Sequence, residues 1–172
     1  MGTTNIKQYF LCGGLLVIGS IFLFASLRAN SFLPQEKTEG VFDACGGNAW
    51  CTLKLPQLEK EVSVMVADTR GERERGLSGE ETLAKDTGML FLFPQNGNYA
   101  FWMKDMLIPL DILWLDSQGK VVYFKQHATP DEYPQKYQNS IPARYVLELP
   151  SGAIEEYQLV LSDTFGFVRE GK

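Results

Sequence analysis

Alternating and continuous runs of apolar residues predict a domain built mainly from β-strands. Val62, Val64 and Val66 alternate with Ser63, Met65 and Ala67, which is the period of a strand that is buried on one face. The run Leu110–Asp116 is apolar on both faces, as in a strand that is covered on both sides. The same reasoning predicts four further strands, at Gly88–Phe93, Lys120–Gln126, Arg144–Leu149 and Thr164–Val168.

The segment from Tyr99 to Asp116 is the densest apolar and aromatic stretch outside the N-terminus, and the domain is expected to be organised around it. Its first part, Tyr99–Lys104, alternates as an extended chain. Pro109 cannot donate to a strand ladder, so the chain is expected to turn before the second apolar run. The pattern predicts a β-hairpin, with Lys104 entering the loop and Asp111 leaving it.

Short helices are predicted between the strands. Thr69 precedes Glu72 by three residues in a pattern typical of a capping box, which predicts a helix over Arg70–Arg75 that ends at Gly76. The remaining predictions between the strands are a helical turn at Glu80–Leu83, an ordered loop without regular structure at Thr129–Pro142, and a helix from Ser151 to near Gln158.

The N-terminal 29 residues are predicted to be a membrane anchor. From Tyr9 to Leu27 no residue is charged, and a helix of that length spans a bilayer core of about 30 Å. A signal peptide shares this pattern, but Leu27 stands where a cleavage site needs a small residue, so an uncleaved segment is favoured. Because Lys7 lies before the apolar run, the tail is expected in the cytoplasm and the following domain on the exported side.

Residues 30–58 are predicted to be a linker that contains a small cysteine loop, and residues 59–172 to be one β-rich domain. Cys45 and Cys51 flank a Gly-Gly-Asn turn, and in an oxidising compartment they are expected to form a disulfide. Free thiols, a redox pair and half of a zinc site are the alternatives. A zinc site needs two further ligands, and only His127 and Cys12 remain, so no metal and no cofactor are predicted.

The charge of the chain argues against nucleic acid as a partner. The 172 residues include 16 Lys and Arg against 21 Asp and Glu, a net charge of −5. Residues 1–30 contain only Lys7 and Arg28 and no acid, which leaves 14 basic and 21 acidic residues, or −7, on the remainder. Nucleic acids and anionic membrane surfaces are bound by clustered Lys and Arg, so neither is expected to bind this domain.

Charged residues around the predicted hairpin and on one later strand are the candidate functional residues. Beside aromatic and sulfur-containing side chains they are expected to rim a pocket for a small molecule. The candidate ligand-binding residues are Trp102, Lys104, Asp111, Arg144 and Glu148. For Lys104 and Asp111 a structural interpretation is favoured over the pocket: the two form a cross-strand pair, or Asp111 accepts hydrogen bonds from the turning backbone.

Several short motifs occur together in a fixed order, namely Val66-Ala-Asp-Thr69, Glu72-Arg73, Arg75-Gly-Leu77, Gly88-Met-Leu-Phe91, Phe101-Trp-Met-Lys104, Ile108-Pro-Leu-Asp111 and Ala143-Arg-Tyr-Val-Leu-Glu148. Together they resemble the uncharacterised "domain of unknown function 192" family from about Val62 to Asp163. The resemblance implies a small α+β domain, mainly β, with a strongly bent, barrel-like sheet and a signal or anchor segment before it. It implies no activity.

One departure from the family pattern concerns the last turn. Family members tend to have a Gly-Asp pair before the final strand, and here the pair is Ser162-Asp163. Glycine adopts a positive φ at little cost and serine does not, so the closing turn is expected to differ. The complete sequence-based prediction is an α+β, mainly β fold. It has a small bent sheet and two or three short helices behind a membrane-spanning segment.

Two classes of function are open at this point. The first is a membrane-tethered, extracytoplasmic module that binds a small molecule or an envelope protein without catalysis. The second is an extracytoplasmic hydrolase in which Asp111 acts with Lys104 or His127. A lone histidine is more often structural than catalytic, and no Ser or Cys partner for it is identifiable in the sequence. The binding module is therefore the favoured prediction.

Overall fold

The computed structural model describes residues 39–138 and 140–168. These residues lie within one compact unit, Lys37–Lys172. The predicted anchor at residues 1–29 and the first part of the predicted linker, residues 30–38, lie outside the described residues. Within the described part of the chain, no helix is long and apolar enough to cross a membrane.

Strands account for most of the regular structure in the described residues. Two short helices are present, α1 (Arg70–Arg75) and α2 (Ala153–Glu156), together with single 3₁₀ turns at Asp43–Cys45 and Pro130–Glu132. The strands are β1 (Trp50–Lys54), β2 (Glu61–Ala67), β3 (Thr87–Gly97), β4 (Phe101–Trp102), β5 (Leu110–Leu115), β6 (Val121–Ala128), β7 (Lys136–Tyr137), β8 (Ala143–Pro150) and β9 (Gly166–Phe167). The prediction of a mainly β fold with short helices is confirmed.

Seven strands form one sheet in the order β6-β5-β8-β3-β2-β1-β9, and the sheet curls into a half-barrel, which confirms the bent, barrel-like sheet. Strands β4 and β7 form a separate two-stranded sheet. In the large sheet β2 and β3 are parallel and the other adjacent pairs are antiparallel. Parallel neighbours need a crossover connection, and α1 lies in the one between β2 and β3.

The large sheet buries apolar side chains on both faces. Along β8, Tyr145, Leu147 and Leu149 belong to a first core cluster, and Val146 belongs to a second. Successive strand residues point to opposite faces, so the two clusters lie on opposite sides of the sheet. Every residue of β5 is buried, as the continuous apolar run predicted.

The predicted hairpin between Tyr99–Lys104 and Leu110–Asp116 is wrong. Strand β4 pairs with β7, in the register Phe101 with Tyr137, whereas β5 pairs with β6 and β8. Because both edges of β5 are occupied by these two strands, no edge is left for β4. The turn before β5 exists, but the chain ahead of it belongs to the smaller sheet.

The described part of the predicted linker, residues 39–58, differs from the expectation because it packs into the domain. Trp50–Lys54 forms β1, and Phe42 and Leu53 are completely buried in the first core cluster. Cys45 and Cys51 form the predicted disulfide, with their Cα atoms 5.7 Å apart. The cysteine loop is thus part of the core rather than an addition to it.

Local capping signals predicted α1 correctly. The hydroxyl of Thr69 accepts a hydrogen bond from the Glu72 N–H at 3.2 Å, and the Glu72 carboxylate accepts one from the Thr69 N–H at 3.0 Å. The helix covers Arg70–Arg75 as predicted. The helical turn predicted at Glu80–Leu83 is wrong, because that segment has no helical structure.

The turn before the last strand forms with Ser162 at the position where the family pattern has glycine. Ser162 adopts a φ of 77°, in the region that favours glycine. Its N–H donates to the Val121 carbonyl oxygen at 2.9 Å, and the Asp163 carboxylate accepts a hydrogen bond from the Val160 N–H at 2.9 Å. Serine therefore occupies a conformation that glycine would adopt with less strain.

Candidate functional site

A cleft of about 290 Å³ lies on the side of the sheet that carries the second core cluster. Its lining comes from α1 and the residues directly after it, from residues 99–106, and from strands β3 and β8. The crossover helix and the short β4 strand thus give this face of the sheet a concave surface. Clefts of this kind are where small molecules bind most often.

Aromatic rings form much of the lining, and they hold one another in place. Phe91 and Phe101 meet edge to face with their centroids 4.9 Å apart. Phe93 and Tyr99 stack with their centroids 3.5 Å apart. Phe101 also contacts Trp114, which is almost fully buried beneath it. Rings that are locked by such contacts present a rigid apolar surface to a ligand.

Four basic residues, Arg70, Arg73, Arg75 and Lys104, also line the cleft. The Arg70 Nε atom lies 2.7 Å from the Glu74 carboxylate. Arg73 donates a hydrogen bond to the Leu92 carbonyl oxygen at 2.9 Å, so it is held in place by the backbone. The side chain of Arg75 has no hydrogen-bond or ion-pair partner among the described residues, and the residue is exposed.

Glu148 is a buried carboxyl group that lines the same cleft. In the sheet register it lies between Met89 of β3 and Ile112 of β5, two apolar neighbours. Its Oε2 atom is fully buried and has no hydrogen-bond partner among the described residues. Burial raises the pKa of this carboxyl to about 8, because the charged form loses its hydration. At neutral pH the group is therefore mainly a neutral carboxylic acid.

The structure brings three of the five predicted ligand-binding residues together. Trp102, Lys104 and Glu148 line the cleft, whereas Asp111 and Arg144 are not part of its lining. Trp102 is 44% exposed, and the Lys136 Nζ atom lies 4.8 Å from its ring centroid. Trp102 is thus a surface residue of the site rather than a core residue.

Asp111 has a structural role. Its side chain is completely buried. One oxygen accepts a hydrogen bond from the His127 N–H at 2.8 Å, and the other accepts from the N–H groups of Gly152 at 3.1 Å and Ile154 at 2.9 Å. The interpretation of Asp111 as an acceptor for turning backbone agrees with these bonds. The predicted cross-strand pair of Lys104 with Asp111 is wrong, because the Lys104 ammonium lies beside the Asp105 carboxylate instead.

Arg144 has a structural role as well. Its Nη2 atom donates to the Asp43 carboxylate at 2.7 Å, and the Tyr145 hydroxyl donates to the same carboxylate at 2.9 Å. Since Asp43 lies in the first 3₁₀ turn, these bonds fasten that turn to β8. Burial in this network raises the pKa of the Tyr145 hydroxyl.

His127 lies in a separate surface group. Its Nδ1 atom is 2.8 Å from the Ser151 hydroxyl, and its Nε2 atom is 3.4 Å from the Glu155 carboxylate. Nδ1 is 3.9 Å from Asp111, beyond hydrogen-bond distance. Ser151 is a neighbour that the sequence did not reveal. Among the described residues, no three His, Cys, Asp or Glu side chains are grouped so that they would hold a metal ion.

Sequence reasoning missed most of the lining, including Phe91, Phe93, Met106 and Arg75. The sequence analysis predicted a helix at Arg70–Arg75 and a strand at Gly88–Phe93, and it assigned neither of them to a site. Two signals were present in the sequence: three arginines within the six residues of α1, and Glu148 as a single acid between Leu147 and Leu149.

The fold and the cleft define a small, mainly β domain with an aromatic, basic-rimmed site. A family model, DUF192, described as "Uncharacterized ACR", matches residues 53–167, and the chain belongs to this family. The crystal structure of a candidate transcription regulator from Sinorhizobium meliloti 1021 is similar. Its TM-score is 0.66 and its sequence identity 28%, over 69% of this chain and 94% of that one.

A protein of unknown function from Novosphingobium aromaticivorans DSM 12444 has the same fold. Its TM-score is 0.62 at 23% identity, over 67% of this chain and 84% of that one. The chain matches no curated protein. The family model gives the family, and the two solved structures give the fold.

Proposed function

We propose that the domain binds a small organic anion with an apolar, ring-sized body in the cleft. The observation that carries this proposal is the concentration of positive charge at one place on an acidic protein. Four of the 16 basic residues line the cleft against two of the 21 acidic residues, in a chain whose net charge is −5. A cleft with this balance attracts anions, and its aromatic walls favour an apolar body.

The two acidic residues of the lining oppose an anion less than their number suggests. Glu74 is paired with Arg70, and Glu148 is mainly protonated at neutral pH. Arg75 supplies a positive charge that has no partner among the described residues, and Lys104 adds an exposed ammonium 3.5 Å from the Asp105 carboxylate. Arg73 is bound to backbone carbonyl groups. With a volume of about 290 Å³, the cleft is at the small end of ligand sites, which favours a ligand of about one ring.

The proposed binding is non-catalytic. A hydrolase that used Asp111 would need a carboxylate free to accept or hold a proton in the reaction, and this carboxylate already accepts three backbone hydrogen bonds. Lys104 and His127 lie in different parts of the domain, one in the cleft lining and the other beside Ser151. The binding module is therefore the better supported of the two functions.

Nucleic acid is not the proposed partner, although the Sinorhizobium meliloti protein is described as a candidate transcription regulator. DNA binding depends on the neutralisation of several phosphates by Lys and Arg. The four basic side chains of the cleft suit one small anion better than a duplex backbone, because three of them, Arg70, Arg73 and Lys104, already have partners within the domain.

The site is proposed to lie on the exported side of a membrane, tethered by residues 9–27. Two observations support this location: nineteen consecutive uncharged residues, and a disulfide of the kind that persists in oxidising compartments. Protease added to right-side-out membrane preparations should digest the domain. Protection of the domain would reverse the orientation, and its release without protease would indicate cleavage after the apolar segment.

Isothermal titration calorimetry on the full chain tests the proposed ligand class. Benzoate and phenyl phosphate represent aromatic anions, benzamide is a neutral analogue, and benzamidine is a cation of the same shape. The two anions should bind and the other two should not. Equal binding of benzamidine, or no binding of either anion at millimolar concentration, would overturn the proposal.

A matched pair of variants links the binding to the cleft. Arg75→Ala removes an unpaired positive charge from the lining and should weaken benzoate binding roughly tenfold, the effect of one charge-assisted contact. Lys54→Ala removes an exposed positive charge from β1, outside the cleft, and should leave the affinity unchanged.

A further inference from the structure

We propose that Glu148 acts as a hydrogen-bond donor to the bound molecule. The ligand would then carry a carbonyl-type oxygen at its inner end, opposite its anionic group. The inference rests on the proposed function and adds a second recognition point to it. The anion would lie beside Arg75 and Lys104, the apolar body against the phenylalanine rings, and the acceptor oxygen against the carboxyl of Glu148.

The placement of Glu148 is the first argument. β8 brings its side chain onto the face of the sheet that carries the second core cluster, between Met89 and Ile112. Glu148 is 6% exposed and lines the cleft, and its Oε2 atom has no partner among the described residues. A buried polar group without a partner is costly, so a ligand atom that supplies the missing hydrogen bond gains from it.

The surroundings of the carboxyl group decide which kind of partner it takes. Its neighbours in the sheet, Met89 and Ile112, carry no titratable group. The charged and titratable side chains of the remaining lining come from α1 and from residues 99–106, and they are Arg70, Arg73, Glu74, Arg75, Tyr99 and Lys104. None of them forms a hydrogen bond or an ion pair with Glu148 among the described contacts.

Desolvation is the one cause that acts on this carboxyl, and it raises the pKa to about 8. The neutral form has an O–H group and donates a hydrogen bond, whereas the ionised form only accepts and repels an anionic ligand. A carbonyl oxygen is the natural partner of such a donor. An alkyl group at the same position would leave the carboxylic acid without a hydrogen-bond partner. An amine would take its proton.

Two benzoates of nearly the same shape test the inference by titration calorimetry on the full chain. In 4-acetylbenzoate a carbonyl oxygen stands opposite the carboxylate, and in 4-isopropylbenzoate a methyl group replaces that oxygen. At pH 6 the acetyl compound should bind roughly tenfold more tightly, the effect of one hydrogen bond to an otherwise unsatisfied buried group.

The pH dependence separates the proposed donor from a general preference for polarity. Between pH 6 and pH 9 the neutral fraction of a group with a pKa of about 8 falls about elevenfold. The affinity for 4-acetylbenzoate should fall by about tenfold over this range. Both benzoates keep their charge throughout, so the affinity for 4-isopropylbenzoate should fall much less.

Variants of Glu148 give a second readout. Glu148→Gln keeps a donor that does not ionise, so 4-acetylbenzoate should bind it with an affinity independent of pH. Glu148→Leu removes the donor and should abolish the preference for the acetyl compound. If neither variant folds, the two-ligand comparison and the pH profile of the natural protein decide the question alone.

Failure of this inference differs from failure of the proposed function. Equal and pH-independent affinities for the two benzoates, both weakened in Arg75→Ala, would overturn the role of Glu148 and leave the anion site in place. Absence of binding by both benzoates at millimolar concentration would overturn the anion site and this inference together.

Discussion

The Asp111 carboxylate accepts a hydrogen bond from the backbone N–H of Ile154 at 2.9 Å, across 43 residues of sequence. The contact fastens the start of β5 to the first turn of α2. Because the same side chain also accepts from the N–H groups of His127 and Gly152, one residue joins three separate segments. Asp111 is completely buried, so water does not replace any of these bonds.

Replacement of Asp111 by alanine should lower the free energy of unfolding by about 3 kcal/mol, because one buried and two partly buried N–H groups lose their acceptor. Urea unfolding followed by tryptophan fluorescence measures the change. Asp111→Asn keeps one carbonyl oxygen and should be less destabilising than Asp111→Ala. An alanine variant as stable as the natural protein, with its cellular function lost, would reassign Asp111 to a functional site.

A double variant with Lys104→Ala extends the test. Lys104 Nζ lies 3.5 Å from Asp105 and belongs to the cleft lining, so it has no direct contact with Asp111. The two changes in stability should therefore add within about 0.5 kcal/mol. A clear departure from additivity would indicate an interaction between these two residues that the structure does not contain.

The two tryptophans of the central segment should respond differently to truncation. Trp114 is 1% exposed and its indole N–H donates to the Tyr99 carbonyl oxygen at 2.8 Å, so Trp114→Ala should cost about 3–5 kcal/mol. Trp102 lies at the cleft surface, and Trp102→Ala should cost less than about 1 kcal/mol. Chemical denaturation of the two variants measures both values, and comparable losses would contradict the surface assignment of Trp102.

Glu148 should make the stability of the domain depend on pH. Its pKa is about 8 in the folded state against 4.5 for an exposed glutamate, so the folded state binds the proton more tightly. The contribution of Glu148 to the free energy of unfolding is therefore largest below pH 4.5 and falls as the pH rises from 4.5 to 8, by at most about 5 kcal/mol. Urea unfolding at pH 5, 6.5 and 8 measures this decline.

Glu148→Gln is the control for that pH dependence. The amide does not ionise, so the variant should equal or exceed the natural protein in stability at pH 8 and show a shallower decline. The pKa values of Asp86 and Glu132 are lowered by hydrogen bonds from Lys60 and Tyr137, and they change stability below pH 4.5, outside this window. Parallel pH profiles for the two proteins would refute the assignment to Glu148.

The disulfide should contribute about 2 kcal/mol to stability, the value for closing a loop of this length in the unfolded chain. The double variant Cys45→Ser, Cys51→Ser should lose that amount. Reductant should lower the stability of the natural protein to the same level and leave the variant unchanged. Thiol blocking without reductant, followed by mass spectrometry, should find both cysteines unlabelled in protein isolated from cells.

Ser162→Gly should stabilise the domain by about 0.5–1 kcal/mol, because glycine adopts the φ of 77° without the strain that a Cβ atom causes. Ser162→Ala keeps the Cβ atom and serves as the matched control, with no gain expected. Thermal unfolding of the three proteins compares them directly. A gain in the alanine variant alone would place the cause in the hydroxyl group.

Local signals were enough to predict several elements. The capping pair Thr69 and Glu72 fixed both the position and the length of α1, since each partner lies within one helical turn of the other. The alternation from Val62 to Val66 predicted β2, because a period of two depends only on neighbouring residues. The bent shape of the sheet was predicted from the resemblance to the family and not from these local patterns.

Pairing and site geometry could not be predicted in the same way. Phe101 pairs with Tyr137 and not with the apolar run that follows it in the sequence. The alternation of apolar and polar residues in a strand does not show which distant strand it pairs with. Two of the N–H groups that donate to the Asp111 carboxylate lie 41 and 43 residues later in the sequence. Glu148 carried a visible signal, an acid inside an apolar strand, but its access to a cleft depends on α1 and residues 99–106.

The disulfide also determines how mechanical load would pass through the domain. The chain enters the described structure at Glu39, and Cys45 is covalently joined to Cys51 in β1. A pull on the chain before Glu39 is resisted first by buried Phe42 and by Asp43, which Arg144 of β8 holds. Beyond these contacts the load reaches β1 through the sulfur atoms, so residues 46–49 carry no tension. Reduction of the bond would place these four residues, about 14 Å of extensible chain, between the first 3₁₀ turn and β1.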